Sequence, residues 1–337
     1  MPPKVVLSSW VHPEVIALLA SAVEVVPHQE REALPADELR RRCRDAQGLM
    51  AFMPDRVDEA FLRACPELKV IACALKGYDN FDTAACERQG VWLTIVPDRL
   101  TLPTAELAIG LMIGLARNIL PGDWLVRSGR FRGWRPVLYG RGLDGSTVGL
   151  IGLGAVGKAV ARRLMGFEAT LLYTDRVPLA PQEEEALRLH CVSRDELLRR
   201  SDFVLLGLPL TSETLGLVDA RFLRDLKRGA FLINIARGSL VDESAVAEAL
   251  ESGALGGYAA DVFAFEDWAI EARPAGVHER LLASDRTLFT PHLGSAVDDV
   301  RRDIALEAAS SLIEALQGRI PTGAVNRPSS ARGLGLP

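Results

Sequence analysis

Cysteine is scarce in this chain of 337 residues: Cys43, Cys65, Cys73, Cys86 and Cys191 are scattered, odd in number and form no Cys-x-x-Cys pair. That excludes a disulfide framework and a zinc-ribbon site, and it leads us to expect reduced thiols in the cytoplasm. No His, Cys or carboxylate cluster has ligand spacing, so no metal is expected. Long apolar runs are lacking too. The stretch Ala108-Ile109-Gly110-Leu111-Met112-Ile113 is too short to span a bilayer, and Lys4-Val5-Val6-Leu7 is too short for a signal-peptide core. Nor is there a surplus of basic residues, since 39 Lys and Arg stand against 44 Asp and Glu for a net charge of −5. Nucleic acid and anionic membrane are therefore not expected partners, and any anionic ligand must be met by a few local cations.

What is present is a strand that runs straight into glycines. Thr147-Val148-Gly149-Leu150-Ile151 leads into Gly152-Leu153-Gly154-Ala155-Val156-Gly157 and then into a helical pattern. In a Gly-x-Gly-x-x-Gly turn Gly152 permits the sharp bend, Gly154 lets the backbone approach a pyrophosphate, and Gly157 lets the helix pack on the strand. A second apolar run, Ala169-Thr170-Leu171-Leu172-Tyr173, ends just before Asp175, in place to accept a ribose 2′-hydroxyl. Asp175 should repel a 2′-phosphate, while the adjacent Arg176 could reach one. NAD is the expected cofactor, with some tolerance of NADP.

Along the chain, candidate strands near 4–8, 22–26, 48–52, 69–74 and 91–95 alternate with helical patterns near 12–20, 35–46, 57–64 and 82–88. A helix opening at Thr101-Leu102-Pro103-Thr104 leads to a second series, with strands near 147–152, 169–173, 203–208, 230–235, 257–261 and 287–290. One helix of that series opens with the capping box Ser193-Arg194-Asp195-Glu196. Such alternation predicts an α/β protein of two doubly wound parallel-sheet domains, a Rossmann-type dinucleotide domain and a smaller flavodoxin-like one. The predicted boundaries are 1–98, 99–293, a returning helix in 294–326 and a flexible tail at 327–337. The returning helix should carry Val297, Val300, Ile304, Ala308 and Leu312 on one face.

Chemistry is expected in the cleft between the domains, at the carboxyl ends of strands. Three segments there place an Arg, a Glu and a His at successive strand ends: Asn234-Ile235-Ala236-Arg237, Asp261-Val262-Phe263 followed by Glu266, and Thr290-Pro291-His292. A Glu266 carboxylate on His292 would fix the ring's tautomer and stabilise its protonated form, and Arg237 would hold an anion. The remaining histidines, His12, His28, His190 and His278, lie in helical or polar contexts and receive no role.

These residues resemble the D-2-hydroxyacid dehydrogenases, whose Arg, Glu and His signatures match Arg237, Glu266 and His292 over nearly the whole chain. Within that family the chain looks most like the phosphite-oxidising members. The segments carrying that likeness are Ala51-Phe52-Met53-Pro54-Asp55-Arg56, Ala74-Leu75-Lys76-Gly77-Tyr78-Asp79-Asn80, Gly133-Trp134-Arg135-Pro136 with Tyr139, and Phe265-Glu266-Asp267-Trp268. The resemblance implies a homodimer that oxidises phosphite to phosphate with NAD. It also implies substrate contacts from Met53, Lys76, Gly77, Asp79, Trp134, Tyr139 and Arg301, and cofactor contacts from Thr104, Leu208, Pro209, Ile235 and Asp261 besides the glycine motif. One segment departs from it: Asn234-Ile235-Ala236-Arg237 has the generic hydroxyacid form, where a Pro-Cys pair before the Arg is expected of a phosphite enzyme. The alternatives are a dehydrogenase for a glycerate- or lactate-like acid and, in another class, a dinucleotide-sensing corepressor-like protein. Lys76 carries the narrower reading, because phosphite is largely a dianion and a close charge pair is worth up to ~4 kcal/mol before desolvation at an effective dielectric near ~20.

Overall fold

Short apolar runs bounded by turn residues become buried parallel strands, and the amphipathic stretches between them become helices covering both faces. The computed structural model describes residues 2–328 and falls into two compact units. One takes in the chain to Leu100, Trp268–Glu271 and the residues from Ala296 on; the other is Thr101–Asp267 with Ala272–Ser295.

The first unit opens with β1 (Lys4–Leu7), α1 (Pro13–Ala20), β2 (Glu24–Val26), α2 (Ala36–Cys43) and β3 (Gly48–Ala51). It continues with α3 (Glu59–Ala64), β4 (Val70–Cys73), α4 (Thr83–Arg88) and β5 (Trp92–Thr94). The sheet is parallel in the order β2-β1-β3-β4-β5, the flavodoxin-like arrangement.

The second unit begins with α5 (Thr101–Ala116) and α6 (Ile119–Arg127), bent 63° from each other. Then come β6 (Thr147–Ile151), α7 (Ala155–Leu164), β7 (Thr170–Thr174), α8 (Pro181–Leu187), β8 (Leu189–Cys191) and α9 (Arg194–Arg200). The series closes with β9 (Phe203–Leu206), α10 (Ala220–Asp225), β10 (Ala230–Asn234), α11 (Glu243–Glu251), β11 (Leu255–Ala260), α12 (Glu279–Leu282) and β12 (Thr287–Phe289). Its sheet order is β12-β11-β10-β9-β6-β7-β8. The connection reverses direction between β6 and β9, the switch point of a Rossmann sheet, and the glycine motif leaves β6 at that point.

Strand β8 was not expected. It is three residues long, pairs only with β7 and carries the exposed His190, so it has no apolar signature. At α9 the Ser193 hydroxyl accepts the Glu196 N–H at 3.3 Å, the first half of the expected capping box.

The chain ends in the first unit. Helix α13 (Asp298–Leu316) buries Ile304, Ala308 and Leu312 in a core with Val5, Leu7, Met50 and Val70. Val297, expected on that face, is instead the exposed N-cap residue, one position before the helix begins. Beyond the helix the chain is stitched to β5: Val325 donates to the Leu93 carbonyl at 2.9 Å. The Asn326 side chain accepts from Leu93 N at 2.9 Å and donates to the Val91 carbonyl at 2.8 Å. Of the predicted flexible tail, Arg327 is exposed and Pro328 buried; its residues 329–337 lie outside the described residues.

Four thiols are buried, and burial pushes those of Cys65 and Cys86 up to about 11 and 12, so they are inert near neutrality. Among the described residues no single helix is long and apolar enough to cross a membrane, and no group of three or more His, Cys, Asp or Glu could hold a metal ion.

Candidate active site

The dinucleotide half of the site is built by the glycine turn of the second unit. Gly152 sits at φ +88°, and a Cβ there would lie 2.7 Å from the Gly207 carbonyl oxygen. A Cβ on Gly154, by contrast, meets nothing within 4 Å, which leaves open space above the N-terminus of α7 where a pyrophosphate would approach. Ala155 and Val156 form the first turn of that ten-residue helix. Asp175, just past β7, accepts Leu153 N through Oδ2 and Arg176 N through Oδ1, each at 2.6 Å. Its carboxylate is thus locked beside the glycine turn, and the residues fit an NAD. The Leu208 side chain packs against Gly152, with Pro209 following it, whereas the Ile235 side chain is buried in the apolar core.

The other half of the candidate site comes from three strand ends of the same unit. After β11, a single 3-10 turn over Ala264–Glu266 sets Glu266 so that Oε1 accepts Phe263 N at 2.9 Å and Oε2 meets His292 Nδ1 at 2.9 Å. His292 itself has φ +57°, a left-handed conformation that costs a non-glycine residue about 1–2 kcal/mol. Its loop is held regardless. Asp261 accepts from the Thr290 hydroxyl at 2.6 Å, Leu293 N at 2.7 Å and Gly294 N at 2.8 Å, while Thr104 donates to the Gly294 carbonyl at 3.2 Å. Burial raises the Asp261 carboxyl, opposed by those bonds. The resemblance implied a cofactor contact for Asp261 and Thr104; the structure shows both bracing the histidine loop.

Arg237 follows β10, half-buried, with Nη1 donating to the Ala236 carbonyl at 2.8 Å and its own carbonyl accepting from Asn234 Nδ2 at 2.8 Å. The turn after it lies hard against the Glu266 turn, because a Cβ on Gly238 would fall 1.8 Å from the Phe263 carbonyl carbon. Asp267, buried, ties the two turns by accepting Ser239 N at 2.7 Å. Sequence reasoning gave Asp267 no task of its own; an acid directly after Glu266 was the available signal.

In the first unit, the expected substrate residues lie on two loops at the carboxyl ends of neighbouring strands. Met53 follows β3, and Lys76, Gly77 and Asp79 follow β4, with Lys76 half-buried. The loops are joined: Asn80 Nδ2 donates to the Met53 carbonyl at 3.1 Å, and Val57 and Asn80 share a backbone bond of 3.2 Å. From α13, the Arg301 guanidinium stands 5.9 Å from the Phe52 ring centroid, and burial pushes its pKa down. Asn80, Ser8 and Asp55, which hold these loops, were not singled out from the sequence. Trp134 and Tyr139 are different. They lie in the second unit on a segment without helix or strand, 80% and 75% exposed.

Comparison with known proteins follows the same outline. Residues 109–294 match the family model described as "D-isomer specific 2-hydroxyacid dehydrogenase, NAD binding domain". The chain is 35% identical over 332 residues to a glyoxylate reductase of Pyrococcus furiosus, covering 97% of this chain and 96% of that one. It is 36% identical over 333 residues to the glyoxylate reductase of Pyrococcus horikoshii, covering 97% of each. Among solved structures, the TT0316 protein of Thermus thermophilus superposes with a TM-score of 0.86 at 36% identity, covering 96% of this chain and 99% of that one. An NADPH-dependent glyoxylate/hydroxypyruvate reductase from Sinorhizobium meliloti, solved with NADP and malonate, gives 0.81 at 29%, covering 96% and 97%.

Proposed function

Because the chain belongs to the D-isomer specific 2-hydroxyacid dehydrogenase family, we propose that it interconverts a small 2-hydroxy acid and its 2-oxo acid with NAD, glyoxylate or a close relative being the acid reduced. The observation that carries this is the Glu266–His292 bond of 2.9 Å, set beside the turn that bears Arg237. The glycine turn and Asp175 would hold the nicotinamide cofactor, which would accept a hydride as NAD or supply one as NADH. Arg237 holds the carboxylate. Glu266 takes the Nδ1 proton's hydrogen bond, which leaves Nε2 as the working atom; in reduction it gives a proton to the carbonyl oxygen, and in oxidation it takes one back. Hydride plus one proton turn C=O into CH–OH. The relatives' names support a glyoxylate-like acid, as does the generic form of Asn234–Arg237.

A second reading, phosphite oxidation, is favoured by Lys76 together with Arg301. A hydroxy acid brings one charge, phosphite mostly two, and the two cations Lys76 and Arg301 of the first unit suit a dianion better. In that case His292, or Arg237 in its place, takes a proton from water as the water oxygen bonds to phosphorus, and the P–H hydrogen leaves with its electron pair for the nicotinamide. The products are phosphate, NADH and a proton. The two readings are separated by following reduced nicotinamide in purified protein given phosphite with NAD, or glyoxylate and other 2-oxo acids with NADH. Turnover of 2-oxo acids alone supports the first reading, a preference for phosphite of more than about tenfold in kcat/KM supports the second, and turnover of neither points to the dinucleotide-sensing alternative.

For the cofactor, NAD is expected to be preferred, with measurable NADP use through Arg176. Asp175→Ala should move the kcat/KM ratio toward NADP by about tenfold or more, since it removes the like-charge repulsion and keeps the Arg. If Arg176→Ala leaves NADP use unchanged, the Arg is a bystander.

Two copies are expected to pair through α6 and the segment after it. No residue of α6 is buried, and Ile119, Leu120, Trp124 and Val126 are each more than half exposed, as are Trp134 and Tyr139 beyond it. A contiguous apolar surface of this kind is an association site. Light scattering giving the mass of one chain would exclude the dimer.

A further inference from the structure

The loops of the first unit rest on a buried carboxylate that the reaction scheme does not use. Asp55, in the turn after β3, is only 6% exposed. Its Oδ2 accepts the Phe52 backbone N–H at 2.7 Å and a hydrogen bond from the Ser8 hydroxyl, just past β1, whose oxygen also lies 3.3 Å from the Met50 carbonyl. The turn so held carries three things. The Phe52 ring stands beside the Arg301 guanidinium. The Met53 carbonyl receives Asn80 Nδ2 from the loop after Lys76. Val57 bonds Asn80 and Asp82 on both sides, at 3.2 and 2.9 Å.

Burying a carboxylate is costly, and apolar packing would serve a purely structural turn at less expense of free energy. We propose that Asp55 is a positioning residue for the anionic substrate: its carboxylate holds the Phe52–Met53 turn, and through that turn Arg301 and the 76–80 loop, in the geometry that receives the anion. This rests on the assignment of Met53, Lys76 and Arg301 to substrate binding. Both of its donors, an amide and a hydroxyl, converge on one oxygen, where the carboxylate's charge strengthens both bonds.

Burial pushes the Asp55 carboxyl up to about 6, with the Ser8 and Phe52 bonds opposing the rise. The titratable groups that face it are the thiols of Cys43 on α2 and Cys73 on β4, both pushed well up and therefore neutral throughout the working range. Acidification through about 6 thus protonates Asp55 and loosens the turn.

The test measures kcat and both KM values for Asp55→Ala and Ser8→Ala with phosphite and NAD and with glyoxylate and NADH, using whichever anion wild type turns over. For Asp55→Ala, which removes the acceptor of both bonds, the expected result is a rise of about tenfold in KM for the anion, with kcat and the cofactor KM within about twofold. For Ser8→Ala, loss of a bond to the carboxylate raises its pKa, so the pH below which KM for the anion climbs should move upward. A KM for the anion within about twofold of wild type in Asp55→Ala, or a loss confined to kcat or shared by the cofactor KM, overturns the proposal. If Asp55→Ala fails to fold by circular dichroism, Ser8→Ala decides, and an unmoved KM–pH profile overturns it. Lys76→Ala and Arg301→Ala run alongside. If neither changes KM for the anion, the substrate assignment itself fails; if they raise it and Asp55→Ala does not, only the positioning role fails.

Discussion

Replacing His292 by Ala is expected to lower kcat/KM by about three to four orders of magnitude while leaving cofactor binding nearly intact, because the proton acceptor is lost and the glycine turn is untouched. Glu266→Gln should be almost as informative. The carboxylate accepts two hydrogen bonds, from Phe263 N and from His292 Nδ1. A glutamine has one acceptor oxygen, so whichever way its amide turns, an N–H faces either the Phe263 N–H or the imidazole Nδ1–H. Either the imidazole loses its support or switches tautomer, or the turn that carries residue 266 loses its Phe263 bond, and kcat should fall by about a hundredfold. Steady-state kinetics with cofactor binding followed by protein fluorescence checks both variants. A Gln variant retaining more than about a tenth of wild-type kcat would show that the pair does not direct the proton.

Lys76→Ala is expected to separate the two substrate readings. If the substrate is a dianion, removing one close cation should lower kcat/KM for phosphite by about two to three orders of magnitude, the size of a charge pair at an effective dielectric near ~20. If the substrate is a 2-oxo monoanion held mainly by Arg237 and backbone N–H groups, the loss should be about tenfold or less. Lys76→Arg should recover much of a purely electrostatic loss and little of one that depends on the compact ammonium.

The α/β alternation and the motif from β6 through Gly152 and Gly157 to Asp175 are legible in the sequence, because parallel strands buried on both faces leave continuous apolar runs and because a glycine turn leaves a fixed spacing. The Arg237, Glu266 and His292 trio was legible for a related reason: each follows an apolar run directly. What the sequence conceals is partnership at a distance. Nothing in Met53-Pro54-Asp55 announces that the acid turns inward to meet Ser8, 47 positions earlier. Nothing marks Asp261 as the brace of the histidine loop, although it sits at a strand end like the catalytic groups. The segment holding Trp134 and Tyr139 has no periodicity to read, so only the family resemblance gave either residue a role; both are exposed on the second unit. Strand β8 escaped because three residues paired on one side need no apolar pattern.

The pairing of the chain end with β5 also bears on handling the protein. β5 is the outermost strand of its sheet on that side, and an uncovered outer strand offers its N–H and C=O groups to any extended peptide, including a neighbour's. Ala324, Val325 and Asn326 occupy those groups. A truncation that removes them would open a template for strand addition between molecules, and the resulting loss of protein would look like poor expression although both sheets were intact. For the same reason an affinity handle that pulls on this end endangers solubility more than one placed before β1.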